Sequence, residues 1–289
     1  SHLFVLYPGN LLFYFLDAVS AFNWLTLIHF VWAGIGMYQL GILKFRSPYS
    51  ALISTFAWVL SGFYLSSINR PGYFYTVSWM PWVAWAWQRI NESRLQSSLC
   101  FALISLLQFL ASEVQVAILS QITGFILYMS QTEKRLITAN FFKMLAIAGI
   151  ISFGLGAMQI LPAFELSMLS TRGAGIPFER ITVNSLHPYH LITLLLPFPF
   201  PIFPSEASFQ GYREFFGSNG IPLFASLHTG ALIFCIAIVS LVINRNREQL
   251  IWFAAMLVFL LLAFGKYLPN YFRIVHHLIP FGSSFIFPI

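Results

Sequence analysis

A chain of 289 residues that is 58% hydrophobic and only 8% charged lacks the polar surface of a water-soluble domain, which needs roughly a quarter charged residues. Its 15 lysines and arginines against 9 acids give a formal charge of +6, but this excess sorts by position along the chain and does not call for a nucleic-acid partner. The two cysteines, Cys100 and Cys235, fall mid-segment and far apart, the pattern of small apolar side chains rather than of a disulfide or a metal pair.

Taken in chain order, the opening LFVLYPGNLLFYFL is semi-apolar and broken by Pro8 and Gly9, so it is expected to lie at a membrane interface. Asp17, the sole aspartate, precedes the first long apolar run, where an acid caps a helix or complements its dipole. Runs near the roughly 20 residues needed to cross a bilayer extend from Phe22 to Leu43, Tyr49 to Ser67, Phe142 to Leu161 and Ile221 to Ile243. Shorter ones extend from Tyr73 to Gln88, Leu95 to Ala111, Val114 to Ser130 and Leu250 to Phe264, and these need neighbours to match the hydrocarbon thickness. The expectation is an all-α polytopic membrane protein, one transmembrane domain over residues 1–289 with about eight spans. The proline-rich segment 162–220 forms a long loop, in which LITLLLPFPFPIF is another interfacial stretch. The chain starts at Ser1 without an initiator Met or a basic leader and stops at Ile289 in a hydrophobic run, the pattern expected of an internal piece.

Alternating the gaps between spans puts Lys44, Arg46, Arg89, Arg94, Lys134, Arg135, Lys143, Arg245 and Arg247 on one side, with Glu92, Glu133 and Glu248. The other side carries equal numbers of cations and acids. The positive-inside rule makes the basic side cytoplasmic and both ends of the piece extracytoplasmic.

Six strings, in order, resemble the bacterial YfhO-type membrane proteins of the GT-C glycosyltransferase superfamily: YPGNLLF from Tyr7, HFVWAGIGMY from His29, SGFY with a following Asn and WMPW between Ser61 and Trp82, SEVQ from Ser112, MQILPAFELSMLSTR from Met158, and YREFFGSNGIPL from Tyr212. The resemblance implies a GT-C-like bundle with interfacial extracytoplasmic helices. It also implies transfer of a sugar from a polyprenyl-phosphate donor to a cell-envelope glycan or lipid acceptor on the outer face. A divalent cation is allowed by it, since some GT-C enzymes use one. It further implies one more span before Ser1, followed by a loop that begins with the acidic base. Where the family carries a Phe-Arg-x-Pro-x-Arg-like string, this chain has FIFPI from Phe285, without the arginines.

Such chemistry needs a base, cations or donors for the phosphate leaving group, and an apolar groove for the lipid. Glu113, in the minimal turn Ser112-Glu113-Val114-Gln115, is a catalytic candidate because an acid at a span end is costly unless paired or wet; Gln115 beside it is a substrate-binding candidate. The alternative is a solvated turn whose polar side chains cap helices. Glu165 and Arg172 lie two helical turns apart, the first a second catalytic candidate and the second a phosphate ligand; each also reads as a plain surface charge. Tyr212 and Arg213 could cradle phosphate near a helix start or simply anchor that helix at the interface. Asn69 and Arg70, before Pro71, could contact substrate or form a polar turn. His187 and His190 have a spacing that can hold a metal on a helix, against which Pro188 argues. Trp79, Trp82, Trp85 and Trp87 read as packing or interfacial anchors before sugar-stacking groups. The rival functions are a lipid-linked glycan transporter or flippase and a non-catalytic partner subunit.

Overall fold

A computed structural model describes residues 6–90, 94–130, 139–169, 177–182, 184–197, 199, 226–243 and 246–270. Among these the regular elements are all helices. The α-helices are α1 Leu12–Phe15, α2 Ala18–Phe45, α3 Pro48–Val59, α4 Gly62–Ser67, α5 Pro71–Ser78, α6 Met80–Arg89, α7 Leu95–Leu110, α8 Val114–Ser130, α9 Ala139–Leu169, α10 Phe178–Ile181, α11 Ala231–Ile243 and α12 Arg247–Ala263. Contacts divide the chain into two compact units: Ser1–Leu60 with Ser67–Ala163, and Ser61–Ser66 with Phe164–Ile289.

The first unit is built around α2. Asp17 starts this helix by accepting from the Ser20 amide at 3.0 Å, which is the capping role expected of it. Arg46, in the left-handed region at φ 54°, ends it. Ala21, Leu25, His29, Ala33, Gly36 and Leu40 are buried along one stripe, at the three- and four-residue steps of a single helical face. The small members of that stripe let neighbours approach: Gly41 lies against Ala51 of α3, and a Cβ on Gly36 would meet the Trp82 ring of α6 at 2.6 Å.

α5 is buried from Gly72 to Ser78, and its hydroxyls are satisfied locally, Thr76 donating to the Gly72 carbonyl at 2.8 Å and Ser78 to the Phe74 carbonyl at 2.7 Å. Gln108 of α7 ties α5 to α8, its amide donating to the Thr76 carbonyl at 3.2 Å and the Ser120 hydroxyl at 2.8 Å. The tryptophans pack: Trp82 stacks on Trp32 and donates to its carbonyl at 2.9 Å, while Trp87 donates to Gln121 at 2.9 Å and meets Phe101 edge-on.

Among the described residues two helices are long and apolar enough to cross a membrane, Ala18–Phe45 and Ala139–Leu166, and only 22% and 17% of their most apolar windows are buried. Most of each apolar window therefore faces outward.

Several expected spans differ in extent. α9 runs past Leu161 and through Pro162 to Leu169, since a proline in a long apolar helix costs one backbone bond that neighbours can absorb. Tyr49 to Ser67 is two helices, α3 and α4, broken at Leu60 and Ser61, and Tyr73 to Gln88 is two, α5 and α6, broken at Trp79 before Pro81. In the last long run residues 231–243 are helical and residues 226–230 are irregular, and residues 221–225 lie outside the described residues.

In the second unit, the 3-10 helix Pro188–Leu194 is capped by His187, whose Nδ1 accepts from the Tyr189 amide at 3.2 Å. Thr193 joins it to the irregular strip 226–230 by accepting from the Leu227 amide at 3.2 Å, and the His228 Nδ1–H donates to the Leu194 carbonyl at 3.2 Å. Gly62 of α4 donates its amide to the His228 carbonyl.

Candidate functional site

The first unit brings the start of α5, next to the Asn69–Arg70 loop, and the turn between α7 and α8 into contact. Pro71 occupies the first turn of α5, where its missing amide costs nothing, and Arg70 precedes it with its amide bonded to the Ser67 carbonyl at 2.9 Å. A Cβ on Gly72 would lie 2.9 Å from the Ser112 hydroxyl oxygen and 3.0 Å from its Cβ, so only glycine lets the two segments meet this closely. Ser112 itself sits at φ 110°, a strained conformation for a residue with a side chain. Next to it, the Glu113 amide donates to the Thr76 hydroxyl at 3.2 Å. That hydroxyl in turn donates a hydrogen bond to the Gly72 carbonyl, so one threonine fixes both segments.

The result is a junction carrying opposite charges. Glu113 is half-buried, Asn69 and Arg70 are exposed, and the Tyr73 hydroxyl lies in the field of both Glu113 and Arg70. Of the two acids among the described residues of this unit, Asp17 is committed to its cap and Glu113 is the other. Gln115 is half-buried on the first turn of α8.

Further along α5 lies a buried hydrogen-bond chain. The Trp79 indole N–H donates to the Tyr7 oxygen at 3.0 Å, and Tyr7 and His29 Nε2 are 2.6 Å apart. His29 Nδ1 is 2.7 Å from the Leu25 carbonyl. A carbonyl can only accept, so Nδ1 carries the proton, Nε2 of the neutral ring accepts, and the Tyr7 O–H donates. Burial pushes the Tyr7 hydroxyl up to about 12, with the Trp79 bond acting in the opposite direction, so it stays protonated and able to donate. Tyr75 packs on both rings, stacked with Tyr7 at 6.3 Å and tilted against His29 at 4.4 Å. None of Tyr7, His29 or Trp79 stands out as a site residue in the sequence, although Tyr7 and His29 open two of the six resemblance strings; the available signal was an ionisable side chain inside an apolar span.

The other candidates are distributed differently. Glu165 is exposed on the last turns of α9, in the residues of the second unit. Arg172, Tyr212 and Arg213 lie outside the described residues, as do Phe285 to Ile289. In the second unit His187 and His190 begin a 3-10 helix; burial and then the Lys266 charge hold His187 below the usual histidine range, and burial and then His187 push His190 down to about 4. Among the described residues no three His, Cys, Asp or Glu side chains gather as a metal site would require.

Compared with protein-family models, curated proteins and solved structures, the chain matches none.

Proposed function

We propose that this chain is a membrane glycosyltransferase of the YfhO type, a GT-C-like bundle of about eight spans that moves a sugar from a polyprenyl-phosphate donor to a cell-envelope acceptor on the extracytoplasmic face. The observation that carries the reading is the junction of the Asn69–Arg70 loop with the Ser112–Glu113 turn, two segments drawn from separate resemblance strings and expected on the same outer face. Its support is chemical: an acid and a cation both act on the Tyr73 hydroxyl, beside a turn where the backbone is strained and only glycine fits.

In this reading the acceptor hydroxyl attacks the anomeric carbon and the bond from that carbon to the phosphate oxygen breaks, with inversion. Glu113 takes part in accepting the hydroxyl proton, alongside the acidic base that the resemblance places before Ser1. Arg70, with Arg172 and Arg213, meets the charge that develops on the departing phosphate. Asn69, Gln115 and Tyr212 supply hydrogen bonds to the sugar, and Glu165 orients Arg172 or the acceptor. A divalent cation could assist the phosphate, as the family resemblance allows. The outward apolar faces of α2 and α9 suit contact with lipid, and one apolar groove would take the polyprenyl tail.

One observation favours the second reading, a transporter for a lipid-linked glycan: His29 is an ionisable side chain inside α2, bonded to Tyr7, and such residues mark transport pathways. Incubating the purified protein in liposomes with a radiolabelled polyprenyl-phosphate sugar separates the two. Release of free polyprenyl phosphate with transfer of label supports the enzyme. Movement of intact donor across the bilayer without cleavage supports the transporter and overturns the first reading.

A further inference from the structure

Away from the Glu113 junction, the first unit holds a cavity of about 230 Å³ between α6 and the start of α7, lined by Trp85, Arg89, Arg94, Gln96, Ser97 and Cys100 among others. Two of these six are arginines. The Arg89 guanidinium lies 4.8 Å from the centroid of the Trp85 ring, a cation–π contact that holds it in place. Arg94 stands at the N-cap of α7 and is exposed. Helix starts favour acids or neutral acceptors, because their free amides carry partial positive charge. Here the cap makes no side-chain hydrogen bond and the first turn has no acid, so a cation is added to an already positive helix end. The stretch from Arg89 to Arg94 carries a single acid, Glu92, against its two arginines. An anion in this cavity would face two arginines, with Ser97 and Gln96 among the residues that line it. The volume is below the roughly 300–1,000 Å³ of pockets that enclose drug-sized ligands, so it suits a headgroup-sized anion and excludes a whole sugar nucleotide.

We propose that this cavity is a phosphate-binding site and that the phosphate it takes is carried by an anionic phospholipid headgroup. Basic pockets between helices at the cytoplasmic interface bind such headgroups, and Arg89 and Arg94 belong to the gaps expected on that side. The lipid source rests on the membrane reading above, but glycosyl transfer plays no part in it.

Cys100 lines the cavity and serves as the reporter. The chain carrying Cys235→Ala is placed in nanodiscs of phosphatidylcholine alone or of phosphatidylcholine with phosphatidylglycerol, and the rate of maleimide labelling at Cys100 is measured. Phosphatidylglycerol is expected to slow labelling by about fivefold, close to what one arginine near an anionic surface is worth. Arg94→Gln removes that protection, whereas Arg247→Gln, a cation outside the cavity, leaves it. Millimolar inorganic phosphate in phosphatidylcholine discs is expected to change nothing. If it protects as well as the lipid does, the site stands and the lipid source is overturned. Equal labelling in both discs, protection that survives Arg94→Gln, or protection lost equally in Arg247→Gln overturns the proposal. Failure of the chain to enter nanodiscs at all would instead overturn the membrane reading.

Discussion

Gly72 and Ser112 touch across the junction of two segments forty residues apart, with room between them for a hydrogen but not for a methyl group. Gly72→Ala is therefore expected to destabilise the first unit by about 1–3 kcal/mol, the usual cost of overpacking. Because Ser112 already occupies a conformation that suits glycine, Gly72→Ala with Ser112→Gly should recover at least half of that loss. Thermal unfolding of the detergent-solubilised variants checks it; a double variant no more stable than Gly72→Ala alone would show that the contact is not what limits the site.

Tyr7 links Trp79 to His29 through one hydroxyl. Tyr7→Phe keeps the stacking on Tyr75 and removes both hydrogen bonds, so it should cost about 1–3 kcal/mol while leaving helix content unchanged. Chemical denaturation followed by tryptophan fluorescence measures this, and an unchanged midpoint would mean that the chain contributes nothing to the packing of α2 against α5.

His190 is buried and held neutral, with its protonation pushed down to about 4, whereas an unfolded histidine takes its proton near 6.5. Between those values the unfolded chain binds more protons than the folded one, so stability falls as pH drops from about 6.5 towards 4 and the contribution levels off below that. Melting curves of the wild type and His190→Gln across this range test the sign: the variant should lose part of the slope. A slope equal to that of the wild type would assign the dependence to other groups.

Hydrophobic run length located α2, α7 and α8 closely, because their ends coincide with the signals a sequence displays: Asp17 as a cap, Arg94 before α7, and the polar turn Ser112–Glu113. It misjudged α9, since Pro162 reads as a stop although a helix with apolar surroundings carries it. The irregular strip 226–230 was invisible for another reason. Its structure comes from bonds to Gly62, Ser66 and Thr193, distant partners that no local window contains. At the site, Glu113 and Asn69 were legible as polar residues at run ends, but the seating of the Ser112–Glu113 turn on α5 depends on Gly72, Thr76 and Ser112, whose backbone geometry is set only when α5 packs between its neighbours. The Tyr7 chain was hidden because aromatic residues in an apolar sequence are read as core.

The central claim is that the carboxylate at the Gly72–Ser112 junction takes part in glycosyl transfer. The most direct test is transfer from a radiolabelled polyprenyl-phosphate sugar into envelope extracts, comparing the full-length protein with its Glu113→Gln variant at equal membrane abundance. A general base is worth about 100-fold or more, so incorporation should fall by at least that factor with insertion unaffected. Incorporation by Glu113→Gln equal to that of the wild type would contradict the account and remove Glu113 from the site.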